Sequence, residues 1–219
     1  MLSIACTYIT GGPIFPIDPH PVEKRKVEQD ELWTAKAIPG KERKMSHPPA
    51  FTVRADDLLR HLQDLRSGTY EGAMSRGAKE VVYRQGIELL RPVAVAILEE
   101  ANTLFLNGTG DVQVIGPEEE GTGDLVTRFE LSWPEQRAAR IMRGPHGPLQ
   151  PVRIIVNYSQ GFLHPHLSGS IAGFWPFQVT SAADAERQKS ILAAIVELEL
   201  HQRIFETNWR ILPVSQQLE

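Results

Sequence analysis

The chain has 219 residues, 42% of them apolar and 23% charged, with a formal net charge of −4. That composition suits one globular domain with an extension, and it provides neither a global basic field for nucleic acid nor an acidic tail. Cys6 is the single cysteine, which excludes an internal disulfide framework and a cysteine-built zinc centre.

No apolar run approaches the roughly 20 residues of a membrane span. The short apolar N-terminus has no preceding basic residue and is broken by Gly11-Gly12-Pro13, so it reads poorly as a signal peptide. A soluble, cytoplasmic protein that binds neither membrane nor nucleic acid is expected.

Residues 1–50 contain Pro13, Pro16, Pro19, Pro21, Pro39, Pro48 and Pro49. Prolines this dense remove backbone donors and forbid long helices. An extended arm is predicted, with a strand over 3–9 and a helical turn over 29–37. The basic runs at Lys24-Arg25-Lys26 and 41–44 read as solvated charge, and Cys6 as a small buried hydrophobe.

Residues 51–78 are predicted as a helix and linker. Thr52 is a cap-type residue, Val53, Leu58, Leu59, Leu62 and Leu65 recur at helical spacing, and Gly68 closes the run. The main domain is placed at 79–219. It opens with a helix over 79–105, whose apolar stripe is Val81, Val82, Ile87, Leu90, Val93, Ala94, Ile97 and Leu98. Pro92 predicts a kink or a break into two helices.

The period then switches from helical to alternating. A strand over 111–115 is expected to end at Gly116-Pro117, followed by an acidic turn over 118–123. The stretch 124–133 alternates cleanly, with Leu125, Thr127, Phe129 and Leu131 on one face. A third strand is predicted over 137–142. The near-continuous apolar run at 152–158 reads as a central strand. A helix over 182–203 follows, capped by Ser181, with a buried stripe of Ala185, Ile191, Leu192, Ile195, Val196, Leu198 and Leu200. The tail with Ile204, Phe205, Trp209, Ile211 and Leu212 is expected to extend this helix to just before Pro213. The predicted class is α+β: a four-stranded antiparallel meander with flanking helices. Neither common nucleotide-cradling glycine motif occurs.

Between the last strand and the last helix lies His164-Pro165-His166, then Ser168-Gly169-Ser170 and the aromatic run Phe174-Trp175-Pro176-Phe177. Two histidines spaced by one residue on a strand would point to one face and suit a metal. A third ligand would have to come from His146, His201 or a carboxylate, and no spacing selects one. No metal or other cofactor is therefore expected, and an imidazole that hydrogen-bonds the loop backbone is the simpler reading. Ser168 and Ser170 lack the G-x-S-x-G elbow of an activated nucleophile and suit turn serines. Trp175 and Phe177 are candidate partner-binding residues. They would line an apolar groove with Pro176, Trp133 and Trp209, unless these aromatics pack in the core.

The order of helix, meander, His-Pro, glycine turn and Trp-Pro before a helix resembles the ubiquitin-conjugating enzymes. His164-Pro165-His166 takes the place of that family's His-Pro-Asn, and Gly169-Ser170-Ile171-Ala172 that of its Gly-Ser-Ile-Cys. Trp175-Pro176 stands for the later Trp-Pro. The likeness covers 79–203. It implies a thioester site in which Ala172 replaces the nucleophilic cysteine and His166 the asparagine, with a shorter loop between them. On that basis no catalytic residue is expected. The resemblance implies that His164, Pro165, His166, Gly169 and Ala172 shape a loop, and that the chain acts as an adaptor for a ubiquitin-like protein or a conjugation enzyme. The alternative is a small hydrolase or transferase using His164 and His166 with Ser170 or a bound metal, including an oxyester at Ser170 with His166 as base.

Overall fold

A computed structural model describes residues 55–121, 123–171 and 173–213. The predicted arm over 1–50, Cys6, both basic runs, Thr52, Val53 and Ala172 lie outside the described residues. In chain order the elements are α1 (Ala55–Ser67), α2 (Arg76–Leu106), β1 (Asp111–Glu120), β2 (Asp124–Ser132), α3 (Pro134–Ala138), β3 (Val152–Tyr158), β4 (His166–Ser168), β5 (Trp175–Pro176), α4 (Ala182–Arg187), α5 (Lys189–Glu206) and a 3-10 turn at Trp209–Ile211. The class is α+β as predicted. The sheet has five antiparallel strands in the order β1-β2-β3-β4-β5, one more than expected, and the membership differs.

β2 and β3 build the sheet's centre. Leu125, Thr127, Phe129 and Leu131 face the same side as their partners Tyr158, Val156, Ile154 and Val152, and all eight are buried. α2 and α5 pack against these strands and against each other. Tyr83 of α2 reaches into the sheet, its hydroxyl 2.9 Å from Thr127 Oγ1 and donating to the Val156 carbonyl at 3.0 Å. Burial pushes this phenol up to about 12, so it stays a neutral hydrogen-bonding group. Gly86 lies under the segment after β5, where an added Cβ would come within 2.7 Å of the Val179 carbonyl oxygen.

Four expectations are corrected. Of the two outcomes expected at Pro92, the break into two helices does not occur: α2 is one helix through Pro92, which sits exposed in it. β1 does not end at Gly116-Pro117. It shifts register between Ile115 and Glu118 and continues, so Glu118, Glu119 and Glu120 pair with Val126, Leu125 and Asp124 rather than forming a turn. A bulge admits the proline without ending the ladder.

The predicted strand over 137–142 is instead the short helix α3, with Pro134 at its first turn, a position where the missing proline N–H is not needed. Only a lone bridge from Arg140 to Pro148 follows it. The last helix is two helices, α4 and α5, that meet at Gln188. Ser181 does cap the first, accepting the Asp184 N–H at 3.1 Å.

Packing also redistributes several apolar residues. Val81 and Leu198 are exposed, and so are Phe205 and Trp209 of the tail. The helix extends as expected through Ile204 and Phe205 to Glu206, and the rest of the tail forms a 3-10 turn at Trp209–Ile211. α1 is inverted. Leu58, Leu59, Leu62 and Leu65 are 40–62% exposed, whereas Asp57 and Asp64 are buried. Asp64 accepts from the Thr69 hydroxyl at 2.8 Å, the Glu71 N–H at 2.9 Å and the Gln178 amide at 3.0 Å. Asp57 accepts from Gln188 at 3.2 Å and Arg187 at 3.4 Å, and Arg60 spans to Glu71 and Asp184. The helix is docked through charge-assisted bonds and presents its leucines outward. Gly68, with φ +70°, ends it in the left-handed conformation.

Candidate functional site: a histidine cluster and an anchored loop

β3 delivers the chain into the turn before His164, and β4 begins at His166, which pairs with Asn157 on one side and Pro176 on the other. The Pro165 carbonyl accepts the Phe177 N–H at 3.2 Å. Lys79 ties the approach down, donating to the Gly68 carbonyl at 2.8 Å and the Leu163 carbonyl at 3.2 Å. The same lysine therefore joins the end of α1 to the loop.

His164 is 1% exposed. Its partner is His61 of α1, with the two Nδ1 atoms 3.2 Å apart, so one ring must donate and the other accept. The face of His164 lies against Tyr70 at 6.1 Å between centroids, and the Tyr70 hydroxyl donates to the Phe177 carbonyl at 2.8 Å. His166 packs edge-on to His61, Phe162 and Phe174. His164 Nε2 and His166 Nδ1 are buried without a hydrogen-bond partner among the described residues.

Burial lowers the pKa of all three imidazoles. His164 falls to about 4, lowered by burial and by His61. His61 and His166 move the same way. The cluster is neutral near neutral pH.

The loop after β4 is held from beneath by α5. Glu199, fully buried, accepts the Ser170 N–H at 2.8 Å and the Ile171 N–H at 3.2 Å. Its other oxygen is 2.7 Å from Arg203, which also donates to the Gln150 carbonyl at 2.8 Å and the Pro151 carbonyl at 3.1 Å. Gly169 permits this approach, because a Cβ there would meet Glu199 Oε1 at 2.9 Å and Ile195 Cγ2 at 3.0 Å.

The exposed Ser170 hydroxyl has its nearest side-chain contact with Arg203, at 3.5 Å. A guanidinium cannot accept a proton, and no histidine reaches this serine among the described residues, so a nucleophile–base pair is not assembled there. The structure brings His61 to the cluster rather than His146 or His201. No group of three or more His, Cys, Asp or Glu among the described residues is arranged to hold a metal ion.

Of the two aromatics singled out, Phe177 is fully buried in the core and cannot meet a partner directly. Trp175 is half-buried and lines an apolar cleft of about 490 Å³ with Leu58, Pro176 and Ile191. Trp133 is fully buried, its indole N–H donating to the Ile211 carbonyl at 2.5 Å.

Sequence reasoning missed His61, Tyr70, Glu199 and Arg203. The one signal for the last two was a Glu and an Arg four residues apart inside an otherwise apolar stripe. No helix among the described residues is long and apolar enough to cross a membrane. No protein-family model, curated protein or solved structure matches the chain.

Proposed function

We propose that this chain is a non-catalytic interaction module of the ubiquitin-conjugating type, acting as an adaptor for a ubiquitin-like protein or a conjugation enzyme. What supports the reading is a helix followed by an antiparallel meander, with His164-Pro165 at the entry to β4 and a glycine turn beyond it. The observation that carries it is the Glu199–Arg203 anchor. A buried carboxylate fixes the backbone of Ser170 and Ile171 immediately before Ala172, where the resembled family has its thiol and alanine offers none. The anchor sets the backbone direction at 170 and 171, and among the described residues no base stands beside Ser170. Beside it, the Trp175–Leu58 cleft suits an apolar side chain of the partner.

The test is incubation of the full chain with an activating enzyme, ATP and a ubiquitin-like protein. No covalent adduct should form, while calorimetry should detect reversible association that weakens for Leu58→Asp. An adduct stable to denaturing gel, or no association with either class of partner, would overturn the reading.

A further inference from the structure

A second surface, away from the loop, lies where the C-terminal half of α2 meets the middle of α5. Ile97, Ala101 and Val196 form the floor of a groove of about 360 Å³, and Leu104 and Phe105 stand on its edge, 61% and 44% exposed. Glu100 and Glu197 flank it, one from each helix.

Both walls lack cations: α2 has no lysine or arginine over 92–106, and α5 none over 190–202. The described ion pairs of these helices join Arg76 to Glu80, Arg91 to Glu88, Lys189 to Glu186, and Arg203 to Glu199 and Glu206. Glu100 and Glu197 therefore face the groove with no positive partner among the described residues. The C-terminal end of α2, beside Leu104 and Phe105, adds the negative pole of a long helix.

We infer that this groove docks a basic amphipathic helix of another polypeptide, its apolar residues on Ile97, Leu104 and Val196 and its lysines or arginines against Glu100 and Glu197. Charge decides between occupants. A second copy of this face would set carboxylate against carboxylate, and the chain's own last residues, 214–219, carry a glutamate and no cation. The chain's basic runs at 24–26 and 41–44, outside the described residues, would exclude the peptide in the experiment below if they filled the groove. A partner with flanking cations satisfies both the apolar floor and the unpaired carboxylates. The inference does not depend on the proposed function, because it uses neither the loop nor the cleft at Trp175.

The experiment is fluorescence anisotropy of the full chain with a labelled helical peptide, leucines along one face and lysines flanking them. Saturable binding is expected, weakened by salt and weakened at least about tenfold by Glu100→Lys with Glu197→Lys. Leu104→Ser, at an exposed position that leaves the fold intact, should weaken it too. Glu118→Lys with Glu119→Lys changes the net charge equally on β1 and should leave binding unchanged. Equal loss in that control would reduce the effect to bulk charge and overturn the inference, as would no binding by the full chain. Concentration-dependent self-association abolished by the Glu100 and Glu197 reversal would assign the groove to a second copy and overturn it as well.

Discussion

The histidine cluster makes stability depend on pH with a defined sign. His164 has an ordinary pKa of 6.5 that the fold lowers to about 4. Above the ordinary value the ring is neutral in both folded and unfolded chains, and the contact with His61 contributes fully. Between 6.5 and about 4 the unfolded chain takes up a proton that the folded chain refuses, so stability falls as the pH falls. Each pH unit across that window costs about 1.4 kcal/mol, giving about 3 kcal/mol by its lower end.

The groups facing the ring account for the direction. Burial is the largest cause, His61, Lys79 and His166 add to it, and only Asp64 opposes them. Geometry reinforces the effect, because protonating both His61 and His164 would turn two N–H groups toward each other across 3.2 Å.

The assay is urea unfolding at a series of pH values from about 8 to about 4.5, with His164→Asn compared against the parent. The variant loses packing at every pH, but its stability should fall less steeply below the ordinary histidine pKa. Carboxylates titrate in both proteins and cancel in the difference. Parallel curves for the two proteins would refute the reasoning, and so would an NMR titration of His164 near its ordinary value.

Glu199→Gln keeps an acceptor for the Ser170 and Ile171 N–H groups but leaves the buried Arg203 with only the longer pair to Glu206, at 3.5 Å; calorimetric melting should show a loss of about 1–3 kcal/mol. Gly169→Ala must push the loop off Glu199 and Ile195, and a loss of about 1–3 kcal/mol in chemical denaturation is expected. Ser170→Ala should stay within about 0.5 kcal/mol of the parent by the same assay, because the hydroxyl is exposed and makes only a long contact with Arg203. On α1 the usual hydrophobic ranking should reverse: Leu59→Ser is expected to be nearly neutral, whereas Asp64→Ala, which takes the acceptor from the Glu71 N–H and the buried Gln178 amide, should cost about 1–3 kcal/mol.

How much of this was legible in the sequence depended on whether the deciding contacts were local. The alternation of Leu125, Thr127, Phe129 and Leu131 and the apolar run of β3 are short-range patterns, and they predicted the centre of the sheet. The Ser181 cap was readable for the same reason. Pro134 was read as ending a strand, but not as the first turn of a helix, so α3 was missed. Gly116-Pro117 looked like a stop because proline cannot donate to a ladder, yet a register shift let β1 continue.

The polarity of α1 was out of reach. Its leucines have helical spacing, but what holds it is Asp57 to Gln188 and Arg187, and Asp64 to Gln178, across more than 100 positions. His61 was missed for the same reason. It stands 103 positions from the histidine it meets.

The loop shows why His164 and Glu199 belong to one argument. His164 is held neutral by burial beneath α1, while Glu199 is engaged by Arg203 and by two backbone N–H groups. A buried ion pair is a costly way to gain stability, since well-packed apolar residues of similar volume often serve as well. What a carboxylate supplies, and a leucine cannot, is two acceptor sites that fix the direction of consecutive N–H groups. The pair therefore specifies the shape of 169–171 more than it strengthens the core. On the function proposed above, a loop so specified would serve as a contact surface. Glu199→Gln should then weaken partner association even at temperatures where the variant is fully folded. Unchanged association would separate the anchor from the partner surface and confine it to stability.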